Sequence, residues 1–357
     1  MTQNPAYASQ TAGRRPDLPD DSGTASTGRV IGSEPCCPWC SGAMRSWLTV
    51  PRDWRRPECA EAYALFWCGQ CEYGCLHPRP SAGELPSFYA VDSYYTHSPR
   101  KVTPGDGRMT LLDRARCHLA WRFDRGRPIS GALIHELLEG RLSRICDLGC
   151  GAGGLLEQAK ALGHSVVGVE PDAAASANAR GRGVTVYEGT AENLPRELES
   201  ASFDLVLMSH ALEHCLDPVN ALRNARSLLA PSGTLLCETP NSGALGLAYA
   251  GVTWFWLDAP RHLNFFTERS LGIACGHVGL SVVETQGTGY YRQFTPGWIE
   301  AERRIWQVFN DCGWPVSTLP VQSSAWRSWK LLFRSALASR AAKYDSIRVV
   351  AHMEVLT

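Results

Sequence analysis

Two pairs of cysteines near the start of the chain have the spacing of a metal site. Cys37 and Cys40 form one C-x-x-C pair, and Cys68 and Cys71 form the second. Four thiolates suit a tetrahedral zinc ion in a structural site. We predict zinc here rather than buried free thiols or a redox pair, because no βαβ pattern surrounds either pair. The spare candidate ligands are Cys36, Cys59, Cys75 and His77.

A glycine-rich segment, residues 147–154, follows a short apolar run and precedes a predicted helix. Glycines let a ligand approach the backbone, and the first turn of a helix offers free amide donors. Glu170 ends the next predicted strand, where a carboxylate can accept both ribose hydroxyls of an adenosine. Gly149, Gly151 and Gly154 also satisfy G-x-G-x-x-G, so a dinucleotide remains the alternative at this point.

Histidines and acidic residues follow two later predicted strands. His210, Glu213 and His214 come after the fourth strand, and His262 lies in a segment after the fifth. Ligands of open parallel sheets bind beyond the carboxyl ends of the strands. Histidine is suited to general-base work near neutral pH. His214, His262 and His210 are therefore candidate catalytic residues, and a structural role for each is the alternative.

Strands and helices alternate from Arg144 onward, which is typical of a parallel α/β sheet. We predict a Rossmann-like, mostly parallel seven-stranded sheet with helices on both faces, plus a small N-terminal zinc-binding module. The predicted strands are Arg144–Leu148, Ser165–Glu170, 185–187, 203–208, 234–238, 280–284 and Ser346–Met353, with a turn at 231–233.

The rest of the chain divides by composition. Residues 1–35 are polar and predicted to be a disordered arm, and residues 36–78 form the zinc-ribbon-like module. Residues 79–143 are predicted to be bridging or cap helices, at 111–123 and at 129–138, the second opened by Pro128. Residues 144–357 form the α/β domain, in which 290–343 is a helical insertion.

Composition excludes several classes of protein. The 357 residues carry 35 basic and 35 acidic side chains, so the net charge of zero gives no global attraction to nucleic acid or anionic membranes. No apolar run reaches the ~18 residues of a spanning helix. Without an export signal, the 14 cysteines are expected to be reduced or metal-bound, in a cytoplasmic protein.

One stretch near the C-terminal end has the pattern of an interfacial helix. Trp326, Trp329, Phe333 and Leu337 form a stripe, and basic residues lie between them, at 327, 330 and 334. Burial of the stripe against the rest of the protein is the commoner explanation and remains open.

Five segments together resemble the motifs of class I S-adenosylmethionine (SAM)-dependent methyltransferases. Ile-Cys-Asp-Leu-Gly-Cys-Gly-Ala-Gly at 145–153 is similar to the first motif of that family, and four more segments follow in the family's order, at 166–172, 189–195, 203–214 and 228–236. The resemblance covers about residues 140–290. It implies a methyltransferase whose cofactor is SAM.

The resemblance also assigns roles to residues. The methionine end of SAM would lie against Asp147 and the glycines Gly149, Gly151 and Gly153. The ribose would lie at Glu170 and the adenine at Ala191 and Glu192, and Cys150, Pro171 and Ser209 complete the set of cofactor-binding residues. Thr190 replaces the Asp of many relatives, which alters the expected adenine contact.

Two further resemblances concern metal and acceptor. Ubiquinone-pathway and small-RNA O-methyltransferases bind a divalent ion through Glu-x-x-Glu-His, and this chain has His210, Glu213 and His214 there, with His262 as a fourth candidate. The metal-free alternative is favoured. The zinc segment, with the Tyr-rich residues 87–97 as a possible cap, resembles bacterial methyltransferases of which some act on sugars.

We therefore predict O-methylation of a small molecule, a sugar or secondary metabolite. The alternatives are an RNA methyltransferase with a zinc module and a non-catalytic SAM-binding scaffold.

Overall fold

A central sheet of seven strands organises the protein. The computed structural model describes residues 34–91, 109–314 and 324–354. The strands are β4 (Arg144–Leu148), β5 (Ser165–Glu170), β6 (Thr185–Glu188), β7 (Phe203–Ser209), β8 (Leu229–Pro240), β10 (Leu280–Thr288) and β11 (Ser346–Met353). The sheet order is β10-β11-β8-β7-β4-β5-β6, and only β11 runs antiparallel to its neighbours. The predicted α/β fold is confirmed.

Helices cover both faces of this sheet, because its strands alternate apolar residues to each side. Cys146 and Met208 face one helical layer, whereas Ile145 and Leu207 face the other. The first layer contains α6 (Pro218–Leu228) and α8 (Glu268–His277). The second contains α3 (Gly131–Leu137), α4 (Gly154–Ala161) and α5 (Ala173–Gly181).

Three predicted element boundaries were wrong. The segment 231–233 is not a turn but a bulge within β8, since Phe203 pairs with Leu229 and Leu205 with Thr234. Strand β10 continues past residue 284 because β11 pairs with it as far as Thr288. Pro128 lies outside α3, which begins after Ser130, whose side chain accepts a hydrogen bond from the amide of Leu133.

The cysteine-rich residues form a small antiparallel sheet of β1 (Arg45–Val50), β2 (Tyr63–Cys68) and β3 (Tyr73–Leu76). A fourth strand, β9 (Asn264–Phe265), pairs with β3 and comes from the α/β part of the chain. The apolar core under the cysteines is also continuous with that of α6 and α8. Residues 36–78 therefore do not pack as an independent body.

The remaining helices form a third layer beyond the carboxyl ends of the strands. They are α1 (Leu85–Tyr89), α2 (Leu111–Phe123), α7 (Leu245–Ala250), α9 (Pro296–Asp311), α10 (Ser324–Ala336) and α11 (Arg340–Lys343). Helix α10 packs against α2, α7, α9 and α11. The predicted arm 1–35, apart from its last two residues, and residues 92–97 of the Tyr-rich segment lie outside the described residues. In the described part of the chain, no helix has the length and hydropathy needed to cross a bilayer.

Candidate functional site

The turn between β4 and α4 is built from glycines with left-handed backbone angles, φ +88° at Gly149, +52° at Gly151 and +74° at Gly153. A Cβ on Gly149 would lie 2.9 Å from the Cβ of Ala211, and one on Gly153 would lie 2.7 Å from the Cβ of Ala179. Nothing lies within 4 Å of the corresponding position on Gly151. Packing therefore requires two of the glycines, and the third faces open space.

Asp147 and Glu170 stand at the ends of adjacent strands beside this turn. Asp147 is buried, and its Oδ1 has no hydrogen-bond partner among the described residues. Burial, reinforced by the charge of Glu170, raises the pKa of Asp147 to about 7. The Glu170 carboxylate accepts from the amides of Gly151 (2.8 Å) and Asp172 (3.0 Å). An unsatisfied buried acid beside an open glycine turn fits a ligand that carries positive charge.

The other predicted cofactor residues border the same turn or the next loops. The Cys150 side chain packs towards Gly168, so its thiol does not line the turn. Its amide donates to the carbonyl of Val169. Glu192 accepts from the amide of Asp217, and burial raises the pKa of Glu192. Thr190 accepts from the amide of Asn193, so it shapes the turn there. The remaining three are Pro171, which is exposed, Ala191, which is buried, and Ser209, which ends β7.

His210 is enclosed by two carboxylates. Its Nδ1 lies 3.1 Å from Glu213 Oε1 and its Nε2 lies 3.3 Å from Glu238 Oε1. Although burial opposes the charge, these hydrogen bonds raise the pKa of His210 to about 9. Its ring also stacks on Trp256, with 5.0 Å between centroids. His210 is therefore protonated at neutral pH and has neither nitrogen available as a base.

His214 and His262 are neutral and lie together, with 4.7 Å between ring centroids. Burial lowers the pKa of His214, and burial together with His214 lowers the pKa of His262 to about 4. His214 Nδ1 lies 3.0 Å from the carbonyl of Arg261 and 2.9 Å from the Tyr89 hydroxyl. His262 Nδ1 lies 2.7 Å from the carbonyl of Trp256. Because a carbonyl only accepts, these bonds assign the proton to Nδ1 and leave a lone pair on each Nε2.

Glu213 completes this group. One ligand atom from each of Glu213, His214 and His262 lies within 4.8 Å of the others. Glu213 Oε2 is buried and has no hydrogen-bond partner among the described residues. The candidate metal ligands expected from the sequence were His210, Glu213 and His214, with His262 as a fourth. In the structure His210 is hydrogen-bonded to two carboxylates instead, and His262 joins Glu213 and His214. A carboxylate and two imidazoles, each held through Nδ1 by a carbonyl, fit a divalent cation.

A buried ionic network holds the segment that carries His262. Arg261 is fully buried and donates to both oxygens of Asp53, at 2.9 and 2.7 Å, and to Asp258 at 2.9 Å. Arg55 donates to Asp258 as well, and Arg56 donates to Asp53. Residues 53–56 were not predicted from the sequence as part of the site. The only sign of this network in the sequence was an acid and two arginines in a short loop between the cysteine pairs. It could not be read, because their partners in the network lie about two hundred positions away.

A cavity of about 240 Å³ lies beyond the histidines, between α7, α9 and α10. Trp298 is part of its wall and packs against Trp256, which stacks on His210. Burial raises the pKa of Glu302, another wall residue, to about 7. The Ser328 hydroxyl in the wall is buried and has no partner among the described residues. Aromatic walls with a few unsatisfied polar groups are typical of small-molecule sites.

The two cysteine pairs are brought together as predicted. The sulfurs of Cys37, Cys40, Cys68 and Cys71 lie within 4.8 Å of one another, and Cys40 and Cys68 are 3.6 Å apart. Zinc–sulfur bonds of about 2.3 Å give tetrahedral sulfur–sulfur distances of about 3.8 Å. The spare candidates lie elsewhere: Cys75 contacts the Met44 sulfur, and the His77 ring packs on Phe66.

Known proteins share the α/β part of this chain. A family model described as a methyltransferase domain matches residues 120–285. A ubiquinone biosynthesis O-methyltransferase of Ruegeria pomeroyi is 32% identical over 192 residues, which are 49% of this chain and 72% of that protein. One from Maricaulis maris is 35% identical over 129 residues, 33% of this chain and 50% of its own length.

A solved Thermotoga maritima methyltransferase, titled a possible histamine N-methyltransferase, has 22% identity and a TM-score of 0.38. It covers 67% of this chain and 94% of its own. The assignment of this chain to a family rests on the sequence relatives. With them, and with an unsatisfied acid beside a glycine turn in a seven-stranded α/β sheet, this chain belongs to the class I SAM-dependent methyltransferases.

Proposed function

We propose that this enzyme transfers the SAM methyl group to a hydroxyl oxygen of a small molecule. The observation that carries the proposal is the meeting of Glu213, His214 and His262 next to the glycine turn. Gly149 packs against Ala211, two residues before Glu213, so a cofactor held on this turn would lie beside the histidines. The relatives named as ubiquinone biosynthesis O-methyltransferases support oxygen as the methylated atom.

The cofactor supplies an electrophilic methyl group on a sulfonium. Asp147 would hold the positively charged methionine end, since its Oδ1 is unsatisfied. Gly151 leaves room for the ligand, and Glu170 keeps further lone pairs for the ribose hydroxyls. Glu192 and Ala191 would border the adenine. These residues position the donor for an in-line displacement, in which the oxygen–carbon bond forms as the sulfur–carbon bond breaks.

His214 is the proposed base. Its Nε2 carries a lone pair and can take the hydroxyl proton as the oxygen attacks, while its Nδ1–H stays on the carbonyl of Arg261. His262 offers a second Nε2 beside it. Glu213, His214 and His262 would also hold a divalent ion, which would supply Lewis-acid activation of the acceptor hydroxyl in place of a base. His210 is a positioning residue in either case, because it fixes the Glu213 carboxylate.

We further propose that the cavity behind Trp298 holds the acceptor. Its volume of about 240 Å³ is small, which favours a single ring or a compact chain. Aromatic walls suit the face of a ring, whereas Glu302, Arg327 and Ser328 offer hydrogen bonds to its substituents. A sugar or a small secondary metabolite matches this combination.

The test uses SAM with a labelled methyl group and three acceptors: a hexose, a catechol and a hydroxybenzoate. We expect a methyl ether of at least one, at a rate that Glu302→Gln lowers and the exposed Arg304→Gln does not. A chelator, followed by add-back of magnesium or of zinc, separates base from metal activation. A product methylated only at carbon would overturn the oxygen assignment.

We also propose one structural zinc at Cys37, Cys40, Cys68 and Cys71. The support is the clustering of four sulfurs at distances that suit tetrahedral zinc. Elemental analysis of protein purified without added metal should find about one zinc per chain. Cys36→Ser is the matched control, because that cysteine is exposed and should leave the zinc content unchanged.

A further inference from the structure

Two neighbouring helices, α2 and α10, expose an unusual number of large apolar side chains. Trp326, Phe333 and Leu337 are 64%, 62% and 93% exposed on or just after α10. Helix α2 adds four more, Leu111, Leu112, Trp121 and Phe123. Helices α2 and α10 pack together, and we call their exposed side chains the α2–α10 face.

Helix α10 buries two serines and a leucine and exposes three large apolar side chains. Ser328, Leu332 and Ser335 are its buried stripe, and the Ser335 hydroxyl lies 3.2 Å from that of Tyr290. Trp326, Phe333 and Leu337 point to the other side, at the three-to-four-residue spacing of one helical face. The commoner explanation of the stripe, burial against the protein, is therefore wrong for these three residues.

The charges on this face have one sign. Five exposed side chains of α2, α10 and the adjoining residue 125 are basic: Arg114, Arg122, Arg125, Lys330 and Arg334. The carboxylates nearby are engaged, since Asp113 pairs with Arg116 and Asp124 accepts from the amides of Gly126 and Tyr291. Lys330 lies over the ring of Trp326, 5.7 Å from its centroid. A chain with no net charge thus concentrates positive charge around tryptophan and phenylalanine.

We propose that the α2–α10 face docks on the surface of an anionic lipid bilayer. Tryptophan and phenylalanine partition into the region between headgroups and acyl chains, and basic side chains beside them meet anionic headgroups. Apolar side chains this exposed distinguish a bilayer from a nucleic acid, which offers phosphates but little apolar surface. An anionic bilayer is therefore complementary to the α2–α10 face in both charge and hydrophobicity.

Docking would also place the cavity at the membrane. Arg327, Ser328 and Leu331 of α10 line the cavity behind the exposed stripe of the same helix. An acceptor dissolved in the bilayer would then have a short route to the site. This consequence depends on the cavity proposal, whereas the docking itself does not.

The experiment is sedimentation of the full-length protein with vesicles, one set of phosphatidylcholine and one of phosphatidylcholine mixed with phosphatidylglycerol. We expect binding to the anionic vesicles that weakens with added salt. Trp326→Ala/Phe333→Ala should lower the partition coefficient at least tenfold on them. Lys330→Gln/Arg334→Gln should lower it roughly 25-fold, because each basic side chain near an anionic surface contributes about a fivefold gain in partition.

The matched control is Leu162→Ala/Val283→Ala, which removes two exposed apolar side chains elsewhere on the surface. It should bind vesicles as the native chain does. SAM binding by calorimetry, unchanged in all variants, shows that each is folded and keeps this test separate from methyl transfer. Equal partition of native and α10-variant proteins overturns the proposal. So does a native dimer that the α10 variants dissociate, since it would assign the face to a second copy of the chain.

Discussion

Asp147 and Glu170 are neighbouring buried carboxylates that differ in their hydrogen bonding. Glu170 accepts two backbone amide hydrogen bonds, whereas Asp147 keeps an unsatisfied oxygen and a pKa raised to about 7. The sequence marked both residues, because each ends a strand beside the glycine turn. It could not distinguish their states, which depend on where the surrounding amides point after folding.

The raised pKa of Asp147 predicts pH-dependent binding of SAM. A cationic ligand needs the ionised carboxylate, so affinity should rise up to about tenfold per pH unit below pH 7 and level off above it. Calorimetry between roughly pH 5.5 and 7.5 measures this. Asp147→Asn should bind weakly with little pH dependence. The same raised pKa destabilises the ligand-free protein as pH rises through about 7, so Asp147→Asn should raise its free energy of unfolding at pH 8. An affinity independent of pH in the native protein would remove Asp147 from the cofactor site.

Glu170 has two roles that substitution can separate. Glu170→Ala should lower SAM affinity at least tenfold, since hydrogen bonds to a charged acceptor are worth about 1.5–3 kcal/mol each. It also removes the acceptor of the Gly151 amide, so part of the loss comes from a looser turn. Glu170→Gln keeps one acceptor oxygen and should recover part of the affinity. If a folded Glu170→Ala protein binds SAM normally, the ribose assignment fails.

Substitutions at His214 and His210 are expected to affect turnover differently. His214→Ala should lower turnover by ~10²–10⁴ with little change in SAM affinity, as expected of a general base. His210→Ala should act indirectly, by releasing Glu213 and Glu238, and His210→Gln should restore part of the turnover because it can still donate to one of them. Turnover near normal in His214→Ala, on an acceptor that the native enzyme methylates, would leave His262 as the base.

At the scale of elements, the sheet was predictable and its connections to the cysteine-rich residues were not. Strands β4, β5 and β11 begin and end as predicted, because alternation and Gly or Pro boundaries are local signals. Strand β9 has two residues and no pattern of its own, yet it completes the sheet of β1, β2 and β3. Its Asn264 side chain donates to the carbonyls of Leu212 and Cys215, on either side of Glu213 and His214. Pairing of this kind is set by tertiary packing.

This pairing predicts what loss of zinc does. Cys68→Ser should release the metal and loosen residues 36–78, and hydrogen exchange should show the loosening reach β9 through β3. Turnover should fall because β9 supports the segment of Glu213 and His214. SAM affinity should change little, since the glycine turn lies on β4. A variant without zinc that keeps full turnover would show that the module does not support the site.

For the whole molecule, the buried network of Arg261 joins the two parts of the chain that composition separated. Asp53 is fully buried, comes from the cysteine-rich residues, and binds Arg261 through both oxygens at 2.7 and 2.9 Å. Arg261 in turn presents its carbonyl to His214, and the next residue is His262. The histidines of the proposed site are therefore oriented by a carboxylate about two hundred positions away in sequence.

Asp53→Asn tests this connection with almost no change in shape. It leaves the guanidinium of Arg261 with the single charge of Asp258, and breaking a buried pair typically costs about 3–5 kcal/mol when one partner is lost. We expect a lower melting temperature and turnover reduced about ten- to a hundredfold, because a displaced base loses its geometry. SAM affinity should stay within about twofold, since Asp147 and Glu170 contact neither residue. Glu58→Gln, a change to an exposed acid of the same segment, is the control and should keep native turnover. A destabilised Asp53→Asn protein that methylates at the native rate, measured well below its melting temperature, would reduce the network to a role in stability alone.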